Sequence, residues 1–274
     1  LPSGGWGYDH FPATARYART LGKDFIGMTG KFHTYWGDFH SLKNKAALEF
    51  ECFNMLAMGA GCSIGDQLHP SGRLSKGSYD LIGHVYSQVK AKEPYCKRAV
   101  PKAEIAVLTP EEFYTEEEHD LGLPPALVGA VRMLQELSYQ FDIIDSTTPM
   151  DSYSLILLPD DILFRKDVEE KLKAYIAKGG KVIGTYHSCL DTENGSDSIY
   201  GVSYERESPY YRDFILPNDT IGKELNREEY VMYLRAAQTR VKDAEVLMDS
   251  IQPYFNREGK TFCSHQHAPS SGRK

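Results

Sequence analysis

The sequence predicts an α/β protein built on parallel strands, and three observations carry that reading. Between residues 103 and 186, runs that are apolar on both faces alternate with amphipathic segments of helical period. Before them, two short apolar runs each empty into a long polar loop and then into a helix-forming segment. The 274 residues form a chain long enough, as a soft measure, for two domains.

Gly4, Gly5, Trp6, Gly7 and Tyr8 give residues 1–12 the character of a loop. Residues 25–28 form the first strand, followed by a polar and aromatic loop from Lys31 to Asp38. Ala47, Leu48, Phe50, Phe53, Leu56 and Ala57 then fall on one broad helical face, and Gly59 and Gly61 stop that helix. A second strand at 62–64 opens at once into Gly65, Asp66, Gln67, Leu68, His69 and Pro70. A helix over 79–92 follows, with Leu81, Ile82, Val85, Tyr86 and Val89 inward and Glu93-Pro94 as its end. Long loops after strands lie at the end where barrel enzymes do chemistry.

Residues 97–102 read as a linker, and the period then changes. Strands are predicted at 104–109, 141–146, 155–160 and 181–186, with helices at 124–139 and 166–178. The strands at 141–146 and 155–160 are too close for a helical crossover, so one of them is expected across the first strand from its neighbour. A flavodoxin-like, doubly wound order fits that constraint. Beyond Asp191 the signal weakens, with strands expected at 199–204, 213–216 and 230–236 and mixed strand and turn character at 244–255.

Composition narrows the function classes. Apolar residues make up 41% and charged residues 25%, which suits a globular core, and the net charge of −7 without a basic block argues against a nucleic-acid partner. No run approaches the apolar length of a membrane span, so no membrane partner is expected. The five cysteines (Cys52, Cys62, Cys96, Cys189 and Cys263) are odd in number and scattered, which fits a reducing cytoplasm better than a disulfide framework.

Three blocks carry a family resemblance: GGWGYDHFP, GMTGKFHTYWGDF and ALEFECFNMLAMGAGCSIGDQLHP. Together they resemble the end of the barrel in family-151 glycoside hydrolases, a group that contains α-L-fucosidases. The remainder, with DDILF, AYIAKGGKVIGTYHS, YVMYL, PYFNR and FCSHQHAP, is similar to the β-galactosidase trimerisation domain, a relative of class I glutamine amidotransferases. The resemblance implies a portion of a (β/α)8 barrel over 1–97 and a flavodoxin-like trimerisation domain over 98–274. Strands 25–28 and 62–64 would then be the seventh and eighth of the barrel, with the first six outside this chain. Two βα units do not close an eight-stranded ring, so this polypeptide alone is not expected to hydrolyse a glycoside. The implied partners are a carbohydrate substrate and further copies of the chain, as a trimer or dimer; in family-42 enzymes the matching domain packs three subunits.

A glycosidase commonly uses two carboxylates, one as acid and one as nucleophile or base. In the clan that includes family-42 β-galactosidases the nucleophile is a Glu at the end of strand seven, but here Met28-Thr29-Gly30-Lys31 holds no acid. Asp66 and Asp38 are the acids near the expected rim and are the catalytic candidates, each with the plainer alternative of an Asp that fixes a turn. Lys31, His33, Trp36, Gln67 and His69 share those two loops and offer an aromatic platform with several donors for sugar hydroxyls, unless the aromatics merely pack the loop. Trp6 and His10, with Asp9, are weaker candidates of the same kind, expected after strand six.

Two other constellations have mainly bland readings. Cys189 follows a strand where an amidotransferase relative would carry its nucleophile, but the small residues of a sharp elbow are absent after it, which favours a buried thiol. Cys263, His265 and His267 alternate and would share one face of a strand, but a zinc site needs a fourth ligand. No metal and no cofactor is expected. The leading function is therefore part of a glycoside hydrolase, most like an α-L-fucosidase, with an α/β accessory domain for assembly. The alternatives are a self-association module without chemistry, or an amidotransferase-like hydrolase using Cys189.

Overall fold

The computed structural model describes residues 7–115 and 122–274. It is a mixed α/β structure containing parallel sheets, and it separates into two compact units. One comprises Leu1–Pro159 with Tyr175–Ile183, the other Asp160–Ala174 with Gly184–Lys274. The division thus falls around residues 159–184, whereas the sequence suggested a boundary at 97/98.

In the first unit the chain turns at Gly7, whose φ is +64°, into helix α1 (His10–Ala18). Helix therefore begins inside the stretch 1–12 that reads as a loop. A 3-10 turn over Arg19–Leu21 ends at Gly22 in the left-handed region (φ +65°), a conformation that suits glycine. Strand β1 (Ile26–Gly30) follows, then helix α2 (Lys45–Ala57), whose N-cap Asn44 accepts a bond from the Ala47 amide at 2.8 Å. The buried stripe of α2 is Leu48, Glu51, Cys52 and Met55, at positions i, i+3, i+4 and i+7, while Phe50 is 51% exposed. The helix is therefore rotated from the face that hydrophobicity alone selects, because Glu51 finds a buried cationic partner described below.

Strand β2 (Gly61–Gly65) pairs with β1 in parallel register, Ile26 opposite Gly61 through Gly30 opposite Gly65. Helix α3 (Lys76–Cys96) packs its Val85 with Leu48 and Cys52 of α2 and runs through Pro94, which was expected to end it. Only the last turn is affected: one amide donor is missing, and the Lys97 amide still reaches the Glu93 carbonyl at 2.9 Å.

Strand β3 (Ile105–Leu108), helix α4 (Pro125–Glu136), strands β4 (Phe141–Ile144) and β5 (Leu155–Leu158), helix α5 (Lys166–Ala177) and strand β6 (Lys181–Gly184) follow in order. They build a four-stranded sheet of order β4-β3-β5-β6. Strand β3 runs parallel to both β4 and β5, so the two strands too close for a helical crossover do lie on opposite sides of the first. One face of this sheet packs Ile105, Val107, Phe141, Ile143 and Leu157 against Leu127, Val131 and Leu134 of α4. Ala13 and Tyr17 of α1 join that same core.

Helix α1 is also pinned to β4 by charge. Arg19 contacts the Asp142 carboxylate at 2.6 Å and donates to the Phe141 carbonyl at 2.7 Å, while Tyr153 donates to the other Asp142 oxygen at 3.0 Å. The guanidinium of Arg16 lies 4.1 Å from the centre of the Phe141 ring, and burial, then the like charge of Arg19, pulls its pKa down to about 10. Tyr17 donates to Asp145 at 2.7 Å. Burial alone would raise Asp145, but bonds from Thr147, Tyr17 and Thr148 outweigh it and hold the carboxyl at about 2.

The second unit is antiparallel beyond β6, in a region where the sequence signal was weak and the expected domain was a parallel sheet. Strands β7 (Val202–Glu207), β8 (Asp213–Ile215), β9 (Tyr230–Met232), β10 (Ala237–Val241), β11 (Ser250–Pro253) and β12 (Ser270–Arg273) form a β10-β7 pair and a β12-β11-β8-β9 sheet. Phe214 and Ile251 sit opposite one another and are buried. Among the described residues no helix is long and apolar enough to cross a membrane.

Two predictions test the docking of α1. The side chains of Arg19 and Asp142 are each 11% exposed, so Asp142→Ala, which strands a cation, is expected to cost about 3 kcal/mol in denaturant unfolding. Asp145→Asn is expected to destabilise at neutral pH. Because the folded-state pKa of Asp145 is depressed, its stabilisation is present above the ordinary carboxyl value and fades as pH falls toward about 2. The gap between wild type and Asp145→Asn, followed by thermal unfolding across that acid range, should therefore close.

Candidate functional site

The parallel pair β1–β2 has two unlike faces, set by the period of two along a strand. Gly27 and Thr29 point toward α2: a side chain on Gly27 would meet Met55, and Thr29 bonds Glu51. Ile26, Met28 and Gly30 point the other way, and there Ile26 is 71% and Met28 44% exposed.

Behind β1 lies a buried ionic cluster. Lys43 Nζ donates to Thr29 Oγ1 at 2.7 Å and to both Glu51 oxygens at 2.8 and 2.6 Å. Burial pushes the Glu51 carboxyl up, against the pull of Lys43 and Thr29. The three residues come from a strand, a loop and a helix, so no local motif marks them.

At the C-terminal ends of the strands the two loops meet. The Lys31 amide extends the ladder to the Gly65 carbonyl at 2.9 Å, and the Lys43 amide reaches the Lys31 carbonyl at 2.7 Å. The Lys31 side chain is buried, with Nζ 3.1 Å from the Ser41 carbonyl, 3.4 Å from that of Asp38 and 3.8 Å from Asp66 Oδ1. Lys31 thus braces the loop and sets positive charge beside Asp66. Asp66 Oδ1 also accepts the Gln67 amide at 2.9 Å, and among the described residues no donor engages its Oδ2. Gln67 donates to the Asp38 carbonyl at 3.4 Å, and its Oε1 is buried without a partner.

Lys31, Asp66, Gln67 and His69 line one cavity of about 190 Å³, together with Phe39, His40 and Arg73. The last three were not singled out from the sequence; they lie in loop positions without a period. The other candidates lie elsewhere. Asp38 turns its carboxylate back on the Tyr35 amide at 3.1 Å, the turn-fixing alternative. His33 is exposed, with its amide on Ser41 Oγ at 2.8 Å and its ring on Thr34. His10 opens α1, Asp9 pairs with Arg132, and Trp6 lies outside the described residues.

Trp36 has a specific seat. Gly30 and Gly65 face one another in the strand register; the indole lies where a side chain on Gly65 would stand, and the Phe32 ring where one on Gly30 would. A methyl on Gly65 would overlap the indole, and one on Gly30 would come within 3.2 Å of it. Phe32, fully buried, braces the ring edge-on at 5.2 Å, and Trp36 itself is half exposed. The pair of opposed glycines is legible in the sequence only once the strand register is known.

Cys189 sits at φ +56°, but it is 1% exposed, and burial followed by the charge of Glu169 pushes its thiol up to about 11. A thiol in that state is a poor nucleophile. Cys263, His265 and His267 do not form a strand, and among the described residues no group of three or more ligands is placed to hold a metal.

Residues 131–201 match the β-galactosidase trimerisation domain. Along its whole length the chain is 42% identical to α-L-fucosidase isoenzyme 2 of Paenibacillus thiaminolyticus, with a TM-score of 0.92. It also superposes over 93% of its length on a β-galactosidase from Bacillus circulans, at TM-score 0.74 and 16% identity, which is a likeness of fold. Over 147 residues, 44% of the chain, it is 27% identical to β-galactosidase BglY of Alicyclobacillus acidocaldarius. The chain spans 42%, 43% and 21% of those three proteins, respectively. The resemblance carried by the sequence blocks is therefore borne out: the chain is related to glycoside hydrolases, and residues 131–201 match the β-galactosidase trimerisation domain.

The seat of Trp36 yields a direct test. In a Trp6→Phe background, which leaves Trp36 as the single tryptophan, Gly65→Ala is expected to expel the ring and red-shift its emission. Unchanged emission and quenching would place the indole elsewhere.

Proposed function

We propose that this chain is part of a glycoside hydrolase of the α-L-fucosidase kind. On this reading β1–α2 and β2–α3 are the last two units of a (β/α)8 barrel. The sheet of order β4-β3-β5-β6 belongs to a flavodoxin-like domain that assembles copies of the protein. The observation that carries it is the half-exposed Trp36, seated on Gly65 and braced by Phe32 at the C-terminal rim of two parallel strands. An aromatic face at that rim suits the apolar face of a sugar ring. Beside it the cavity of Lys31, Asp66, Gln67 and His69 supplies an unengaged carboxylate oxygen and a buried acceptor, Gln67 Oε1, that a sugar hydroxyl would satisfy. Asp66 is the catalytic candidate; Asp38, bound to its own turn, serves the loop.

The identity of 42% across the chain favours fucose over galactose as the sugar recognised. Exposure of Ile26 and Met28 on the inner face of β1 supports the ring reading, since barrel interiors are filled with apolar side chains. A second reading, a self-association module without chemistry, draws on the trimerisation-domain match alone. The amidotransferase-like alternative is disfavoured by the buried, proton-holding Cys189. The scattered cysteines favour a cytoplasmic setting.

The deciding experiment assays the intact protein on nitrophenyl α-L-fucoside and β-galactoside. Hydrolysis of the fucoside is expected, with kcat/KM lowered about 100-fold or more in Asp66→Asn. Activity on neither sugar would remove the proposal, and full activity in Asp66→Asn would remove that residue from the chemistry.

A further inference from the structure

The second unit contains a cavity of its own, of about 220 Å³. Two loops wall it, and Asn256 ties them together: its Oδ1 accepts the Tyr211 amide at 2.9 Å and its Nδ2 donates to the Pro209 carbonyl at 2.7 Å. Pro253 and Ala268, both buried, contribute an apolar part of the wall.

Cations surround the opening. The guanidinium of Arg212 lies 4.2 Å from the centre of the Tyr211 ring and spends one donor on the Tyr211 carbonyl. That of Arg257 lies 5.0 Å from the Phe262 ring and spends Nε on the Cys263 carbonyl. Stacking and a backbone bond fix each group, and their remaining donors have no carboxylate partner among the described residues. His267 uses Nδ1 on the Ala268 carbonyl at 3.1 Å, which leaves Nε2 for a ligand. The single acid in the wall, Glu258, pairs with neither arginine within 4.0 Å among the described residues. In a chain of net charge −7, two fixed and unpaired arginines around one small cavity form a local inversion of sign.

We propose that this cavity binds a single acidic sugar, a hexuronate, with its carboxylate on Arg212 and Arg257 and its ring against the apolar wall. Forked guanidinium donors match a carboxylate in plane and number. The volume lies below the roughly 300–1,000 Å³ of sites for larger ligands, which limits the occupant to about one ring.

The test is calorimetric titration of the intact protein with glucuronate, glucose and sulfate. Glucuronate is expected to bind with a Kd on the order of 1 mM, glucose not to saturate, and sulfate to compete. Arg257→Gln and, separately, Arg212→Gln should each weaken glucuronate about tenfold without moving the thermal midpoint. Binding of glucose as tight as that of glucuronate, absence of saturable glucuronate binding, or unaltered affinity in both variants would overturn the proposal. Sulfate binding tighter than glucuronate would also overturn it, by showing a free-anion site that makes no use of the ring.

Discussion

Arg19 in contact with Asp142 is the interaction on which the placement of residues 7–96 depends. Strand β4 is the edge of its sheet, and an open edge presents unpaired backbone groups. Arg19 takes the Phe141 carbonyl at that edge, Arg16 covers the Phe141 ring, and Ala13 and Tyr17 enter the core beside α4. The parallel pair β1–β2 starts only a few residues after this clamp. Its orientation is therefore inherited from a contact with a sheet that begins about a hundred residues further on. The segment 97–102 has the composition of a linker, but the clamp bridges it, and both sides fall in one compact unit.

The second constraint is the asymmetry of β1. On its α2 side, Thr29, Lys43 and Glu51 form a dry ionic cluster; such clusters contribute little net stability but are costly to break, so they hold one arrangement. Because the Lys43 amide also bonds the Lys31 carbonyl, the cluster anchors both ends of the loop that carries Trp36. On the other side of β1, Gly65 leaves room for the indole and Gly30 for the Phe32 ring that braces it, and Lys31 holds Asp66 near the cavity. A rigid back and an open, aromatic front are what a site for a rigid, hydroxylated ligand requires.

Much of this was legible in the sequence where a period or a turn signal existed. The runs at 105–108 and 155–158 are uninterruptedly apolar, that at 141–144 is broken only by Asp142, and the short connection between the last two predicts the strand order found. Asp66, Gln67, His69 and Lys31 converge because they leave the C-terminal ends of two strands paired in register, Gly30 opposite Gly65. What failed did so for identifiable reasons. Helix α2 reads as burying Phe50, but Glu51 turns inward to meet Lys43, a partner eight residues earlier in a loop. Pro94 reads as a stop, but in a last turn it costs one bond. The antiparallel strands after Gly184 carry charged residues such as Glu205, Arg206 and Arg240 and show little alternation of polarity.

If β1 and β2 belong to a sugar-binding rim, Ile26 and Met28 face the interior of a closed ring. A crystal structure of the intact protein with an iminosugar analogue of fucose tests this most directly. The analogue is expected stacked on Trp36, within hydrogen-bond reach of Asp66 and Gln67, with Ile26 and Met28 buried. An analogue bound away from that rim, or Ile26 and Met28 still facing solvent, would contradict it.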